Sequence, residues 1–325
     1  MNKSILAYAT ILVLSLGASW VQYTSEEAAV PKEGIVLADV KKDDLQQLSY
    51  SSPDLKVLLE FRKDDLGSYS WVTLTETKKK KGPDGVETSE EVVTRFKGGE
   101  DATKLIEKWA PVMAMRELGR AEDKIESFGL KSPTSTVVVT TAGKTWTLEL
   151  GGDTYGLKDR YVRDQGTGLV YVVDDQSIKP FTSKTKLRET AVFSAKKTEI
   201  ESVKVGRGAA TVTWEQKNIV DTAAAFWARQ GGTGEKDETF SNWLDKLLKL
   251  RSQEYVQAEE PADLVPVMDL VIKPVDHPAE SLQLLRSGDD WYARGSWVRG
   301  LVKLNKTATA DVESEVDDVI EGKAP

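Results

Sequence analysis

The chain has 325 residues, 44 Lys+Arg against 52 Asp+Glu, a formal charge of −8, one His and no Cys. Lack of thiols excludes disulfides, thiolate zinc sites, iron–sulfur clusters and cysteine nucleophiles, and a lone His277 excludes multi-histidine metal sites. The acidic balance argues against a protein built to grip nucleic acid, and the length is that of roughly two domains.

The chain opens on an uncharged, largely apolar run from Ile5 to Tyr23 that includes Leu12, Leu16 and Trp20. Nineteen helical residues rise about 28 Å, close to the roughly 30 Å hydrocarbon core of a bilayer. Lys3 precedes the run and Glu26 and Glu27 follow it, so the N-terminus is expected in the cytoplasm and the body outside. The alternative is a cleaved signal peptide, although Ser15-Leu16-Gly17 fits a small-residue cleavage site poorly. Residues 1–24 are therefore assigned to an anchor or signal segment and 25–40 to a tether.

From residue 41 onward the sequence reads as one α+β unit written twice, over 41–195 and 196–325. Leu45-Gln-Gln-Leu48-Ser-Tyr50 is echoed 155 residues later by Ile200-Glu-Ser-Val203-Lys-Val205, and Ser70-Trp71 by Phe226-Trp227. Leu105, Trp109, Val112 and Met113 predict an apolar helical stripe, as do Phe240, Trp243, Leu244, Leu247 and Leu248. Val137-Val138-Val139 then answers Leu270-Val271-Ile272, and Tyr161-Val162-Arg163 answers Trp297-Val298-Arg299. Thr77 to Val93 reads as a polar loop inserted in the first unit. Alternating apolar runs joined by short turns, such as Thr136–Thr141 and Thr145–Leu150 around Ala142-Gly143-Lys144, predict antiparallel sheet. A short helix is expected to close the first unit over Asp174 to Phe181, and Val312, Val316, Val319 and Ile320 close the second.

Few residues carry chemistry. Gly231-Gly232-Thr233-Gly234-Glu235-Lys236 lacks the spacing of a phosphate-binding loop and reads as a turn. His277 lies in a proline-flanked loop without an evident triad partner. Acidic pairs such as Asp64-Asp65 and Asp289-Asp290 suit turns and caps, with weak surface calcium binding as the alternative. No catalytic, cofactor-binding or metal-ligating residue is assigned, and a non-enzyme is expected. The interaction residues are Lys78, Lys79, Lys80 and Lys81, a basic run suited to a solvated loop, an acidic partner or anionic lipid head groups. Trp291, Tyr292 and Trp297 are candidate exposed rings for stacking on a glycan.

The order of short motifs carries a resemblance. Leu45-x-x-Leu48-Ser-Tyr50, Ser70-Trp71, Phe128-Gly-Leu130-Lys-Ser-Pro133, Thr145-Trp146-Thr-Leu148, Arg160-Tyr-Val-Arg163 and Val170-Tyr-Val-Val173-Asp174 follow an N-terminal apolar segment. The chain thus resembles the bacterial domain-of-unknown-function family numbered 4340, most closely over about residues 45–205, with the basic insertion as a departure. That resemblance implies an anchored accessory protein at the inner membrane with its body in the periplasm. Genes of the family often lie beside those of gliding-motility-type ABC transporters, so the expected partners are a transporter permease and its auxiliary subunits, with inner-membrane lipid around the N-terminal helix. The resemblance supplies no catalytic residues. The expected function is a non-enzymatic scaffold subunit of such an envelope complex, with a periplasmic glycan- or ligand-binding module as the alternative and a carboxylate-dependent hydrolase as the weaker one.

Overall fold

The computed structural model describes residues 34–81, 87–156, 158–257 and 259–322. The expected anchor, with Ile5, Leu12, Leu16, Trp20 and Tyr23, lies outside them, and among the described residues no helix is long and apolar enough to cross a membrane. Strand β1 (Ile35–Ala38) leads to β2 (Leu45–Ser51), β3 (Leu55–Asp64), β4 (Gly67–Lys81) and β5 (Glu87–Lys97). Helix α1 (Glu100–Trp109) follows, then β6 (Val112–Ala114), β7 (Arg116–Gly119), β8 (Ser135–Thr141), β9 (Thr145–Asp153), β10 (Asp159–Asp164) and β11 (Val170–Asp174). Next come β12 (Ile200–Arg207), β13 (Ala210–Lys217), β14 (Phe226–Arg229), α2 (Glu238–Leu248), β15 (Ser252–Tyr255) and β16 (Val265–Pro274). The described chain ends with β17 (Glu280–Ser287), β18 (Asp290–Gly295), β19 (Gly300–Leu304), α3 (Lys306–Ser314) and α4 (Val316–Glu321).

The class is α+β, mostly antiparallel sheet with a few helices. Besides the small β1–β6 ladder, one sheet runs β5-β4-β3-β2-β8-β9-β10-β11-β7 and the other β14-β13-β12-β16-β17-β18-β19-β15. Strand for strand the orders correspond, except that the first sheet has β5 as an added edge. Even a β-bulge recurs, between Leu45 and Gln47 in β2 and between Ile200 and Ser202 in β12.

Each sheet buries its inward residues under helices. In β2 and β3, Leu48 and Leu59 face the core, as do Val203 and Trp214 in β12 and β13. Helix α2 starts where Asp237 accepts the Phe240 N–H at 2.7 Å, and its stripe of Phe240, Trp243, Leu244 and Leu247 is buried. Trp109 of α1 donates its indole N–H to the Ser177 carbonyl at 2.8 Å, and Trp243 of α2 donates to that of Val312 at 2.9 Å. In both halves a helix tryptophan thereby pins down the segment that follows the last long strand.

Five sequence expectations need correction. The end of the expected tether is packed structure: Ile35–Ala38 forms β1 on β6, and Ala38 and Val40 are buried. The stripe of α1 ends at Trp109: Pro111 cannot continue a helix, so Val112 and Met113 sit in β6 and pair with β1. Asp174 to Phe181 contributes 3-10 turns, not an α-helix. Thr77–Lys81 and Glu87–Val93 are strand, not loop, because cross-strand pairs such as Lys78–Glu90 and Lys81–Glu87 match opposite charges along the ladder. Trp297-Val298-Arg299 falls in the turn between β18 and β19. By register the counterpart of Tyr161–Arg163 is Tyr292–Arg294, since Glu149 pairs with Arg163 as Gln283 pairs with Arg294.

Candidate functional site

Three features stand apart from ordinary core. The first is the β4–β5 hairpin. β3 pairs with β4 only as far as Glu76, so the rungs from Thr77–Glu91 to Lys81–Glu87 form a two-stranded ribbon reaching past the sheet. Its β4 strand carries Lys78, Lys79, Lys80 and Lys81, all exposed, and its β5 strand carries Glu87, Glu90 and Glu91. Lys80 pairs with Glu90, and Lys56 with Glu91 at 3.1 Å. Hydrogen bonds from Lys80 hold the Glu90 carboxyl below the usual range.

The outer edge of β5 is open along the ribbon and closed at its base. There the Gln257 side chain accepts from the Arg95 N–H at 2.6 Å and donates to the Arg95 carbonyl at 2.9 Å, standing in for a strand.

The second feature is the junction of the two halves, where β5 meets β15 and the β18–β19 turn. Phe96 and Lys97 are consecutive yet both buried, Phe96 in the core with its ring centre 6.4 Å from that of Tyr255 and Lys97 against Trp297. Lys97 is only 2% exposed, with its Nζ 2.8 Å from the centre of the Trp297 ring and 3.8 Å from the Glu189 carboxylate. Burial pulls its pKa down to about 7, with Glu189 opposing the shift. Neither this amine nor the buried Tyr255 hydroxyl has a hydrogen-bond partner, and burial pushes the Tyr255 phenol up, reinforced by Glu189. Arg299 crosses the junction to grip Asp64 with bonds of 2.5 and 2.8 Å while lying 4.0 Å from the Tyr69 ring centre. Those bonds hold the Asp64 carboxyl below the ordinary aspartate range.

The third is a cleft of about 590 Å³ between α1 and the β3–β4 hairpin, with Phe61, Ser70 and Ile106 in its walls.

These positions differ from the sequence candidates. The four lysines lie together on the ribbon, on a strand where a loop was expected. Trp291 (3% exposed) and Tyr292 (8%) are buried on opposite faces of β18, Tyr292 beneath Leu285, Leu301, Val256 and Leu264. Trp297 is half-buried under the Lys97 amine, so none of the three rings stands open to stack on a sugar. His277 is exposed in the β16–β17 loop. Among the described residues no group of three or more His, Asp or Glu is arranged to hold a metal ion. Sequence reasoning missed Lys97, Glu189, Tyr255 and Ser70. Lys97 follows a polar, charged stretch and carried no signal of burial, because its cover comes from residues 189, 255 and 297.

Residues 100–266 match a family model described as "Domain of unknown function (DUF4340)". The match starts at α1 and runs across both sheets into β16. No curated protein matches the chain.

Proposed function

Because the chain belongs to the DUF4340 family, whose function is unknown, we propose that it works through its surfaces, as a non-enzymatic accessory or scaffold subunit of an ABC-transporter-type envelope complex linked to gliding motility. In this reading Ile5–Tyr23 anchors the chain in the bacterial inner membrane, the body is periplasmic, and the two sheets descend from one duplicated unit. The partners are the transporter permease and its auxiliary subunits.

The observation that supports it is the β4–β5 ribbon. A two-stranded arm beyond its parent sheet buries little apolar surface of its own and adds little to the core. What it adds is reach, two open backbone edges, and a row of lysines against a row of glutamates. Such a feature suits docking better than catalysis.

The test is affinity purification of the C-terminally tagged full chain from gently solubilised membranes. The expected result is recovery of a transporter permease or ATPase subunit, lost when residues 77–91 are replaced by an Asn-Gly turn. Wild-type protein recovered alone from a clean membrane fraction overturns the reading.

A further inference from the structure

The sheets differ at one inward position, and the difference leaves a groove in the first. Leu48 pairs with Leu59 as Val203 pairs with Trp214, which fixes the register between the halves. Two residues on, Phe61 pairs with Ser70 in the first sheet and Gln216 with Trp227 in the second. Ser70 therefore occupies the place of Trp227, one residue away from the match that the shared Trp71 and Trp227 suggest.

In the second half the indole of Trp227 fills that place, 5.2 Å from the Phe240 ring of α2. Helix α4 closes the same layer, with the Glu321 carbonyl accepting from Arg229 at 3.3 Å. The first half has a serine there, and the chain after β11 continues as 3-10 turns that pack on α1 at Trp109 and Phe181. What remains beside Ser70 is the 590 Å³ cleft, walled by Leu45, Phe61 and Ile106. Its rim carries Lys42, Arg62 and Lys63 against Asp43. Lys42 pairs with Glu107 at 3.2 Å, and Arg62 with Glu60 at 3.0 Å while lying 5.6 Å from the Trp71 ring centre; ion pairs this open to solvent exchange readily with other carboxylates.

We infer that this cleft seats an aromatic side chain presented by an acidic segment of a protein partner. The aromatic ring takes the volume that Trp227 takes in the second half, and its acidic neighbours meet the three rim cations. This deepens the docking reading above and rests on it.

The test titrates the full chain into a fluorescein-labelled, end-blocked acidic pentapeptide with a central tryptophan, read by fluorescence anisotropy. Saturable binding is expected, weakened about tenfold or more by Ser70→Trp and by the exposed Lys63→Glu. Peptides with alanine for the tryptophan, or glutamine for the acids, are expected to bind at least about tenfold more weakly.

Absence of saturable binding to the wild type overturns the inference, as does equal binding of either control peptide. So does unchanged affinity in Lys63→Glu together with a Ser70→Trp variant that melts like the wild type. Concentration-dependent dimerisation abolished by Ser70→Trp also overturns it, since a second copy is then the occupant. Transporter subunits that still copurify when the peptide fails to bind leave the docking reading standing and remove only this groove.

Discussion

In the second half of the molecule Trp227 stands against Phe240, Trp214 stacks on the same ring at 4.6 Å, and two helices close the layer. In the first half Ser70 holds the corresponding position, the closing segment is a run of 3-10 turns, and β5 extends the edge into a ribbon. Strand order is the same in both, so topology does not decide which half is finished as closed core. The side chains at a few inward positions do. A sheet that spends its aromatic residues on filling space becomes a support, whereas the other keeps a cleft and an open arm.

Breaking the closed half should cost most. Trp243→Ala removes a fully buried indole and its bond to the Val312 carbonyl, with an expected loss of about 3–5 kcal/mol in urea unfolding. A loss under about 1 kcal/mol would show that the α2–α3 contact is not core. Trp227→Ser copies the first half's residue into the second and should cost about 2–4 kcal/mol, less because Ser is tolerated at Ser70 by the same backbone. The reverse change, Ser70→Trp, should cost about 1–3 kcal/mol, since Ser70 is buried against Gly98 at the edge of the cleft and a larger side chain must shift its neighbours to enter it.

Much of this comparison was legible in the sequence, and its failures have physical causes. Leu45–Tyr50 and Ile200–Val205 fall in strands at the same place in the two sheet orders, and alternating burial in central strands leaves a strong pattern. Trp71 and Trp227 match in sequence, yet a one-residue slip in a strand exchanges faces: Trp71 lies edge-on to Tyr255 at the junction and Trp227 packs on α2. The ribbon looks like loop in sequence because its strands have no buried face to betray them. Trp291 and Tyr292 look exposed in sequence because one faces the core and the other is covered by Val256 and Leu264, which pack on the outer face from a distant segment. Nothing in the sequence joins the residues of the junction, which is assembled from the distant positions 64, 97, 189, 255 and 299.

At that junction the expected effect is moderate and has a sign that pH reveals. Folding lowers the Lys97 pKa from 10.5 to about 7, so between these values the unfolded chain holds a proton that the folded chain has released. Stability therefore rises with pH across that window, and the full cost of burying the ammonium is present below pH 7. Lys97→Met should stabilise the protein by about 1–3 kcal/mol at pH 6, with the gain shrinking by pH 9.5. Urea unfolding at both values checks this, and an equal loss at both would show that the contact with Trp297 outweighs desolvation.

Asp64→Asn, at the other bond across the junction, should cost about 1 kcal/mol, because the Arg299 guanidinium is buried but the carboxylate is partly screened by water. The pKa of Asp64 is lowered by folding, so its contribution is complete above the ordinary aspartate range and fades as pH falls through the lower folded value. The difference between wild type and Asp64→Asn should accordingly narrow in acid while that for Lys97→Met stays at its maximum.

The smallest stability effect belongs to the ribbon. Changing Lys79 and Lys81 to Ser removes exposed charges that touch no core residue, and the midpoint of thermal unfolding should move by no more than about 0.5 kcal/mol of stability permits. A large shift would mean that the arm supports the sheet, and the contrast between the halves would then be one of stability. A negligible shift, combined with loss of copurifying membrane subunits, would separate the arm's role from folding. Only a feature whose removal leaves the fold intact can be assigned to what the protein meets.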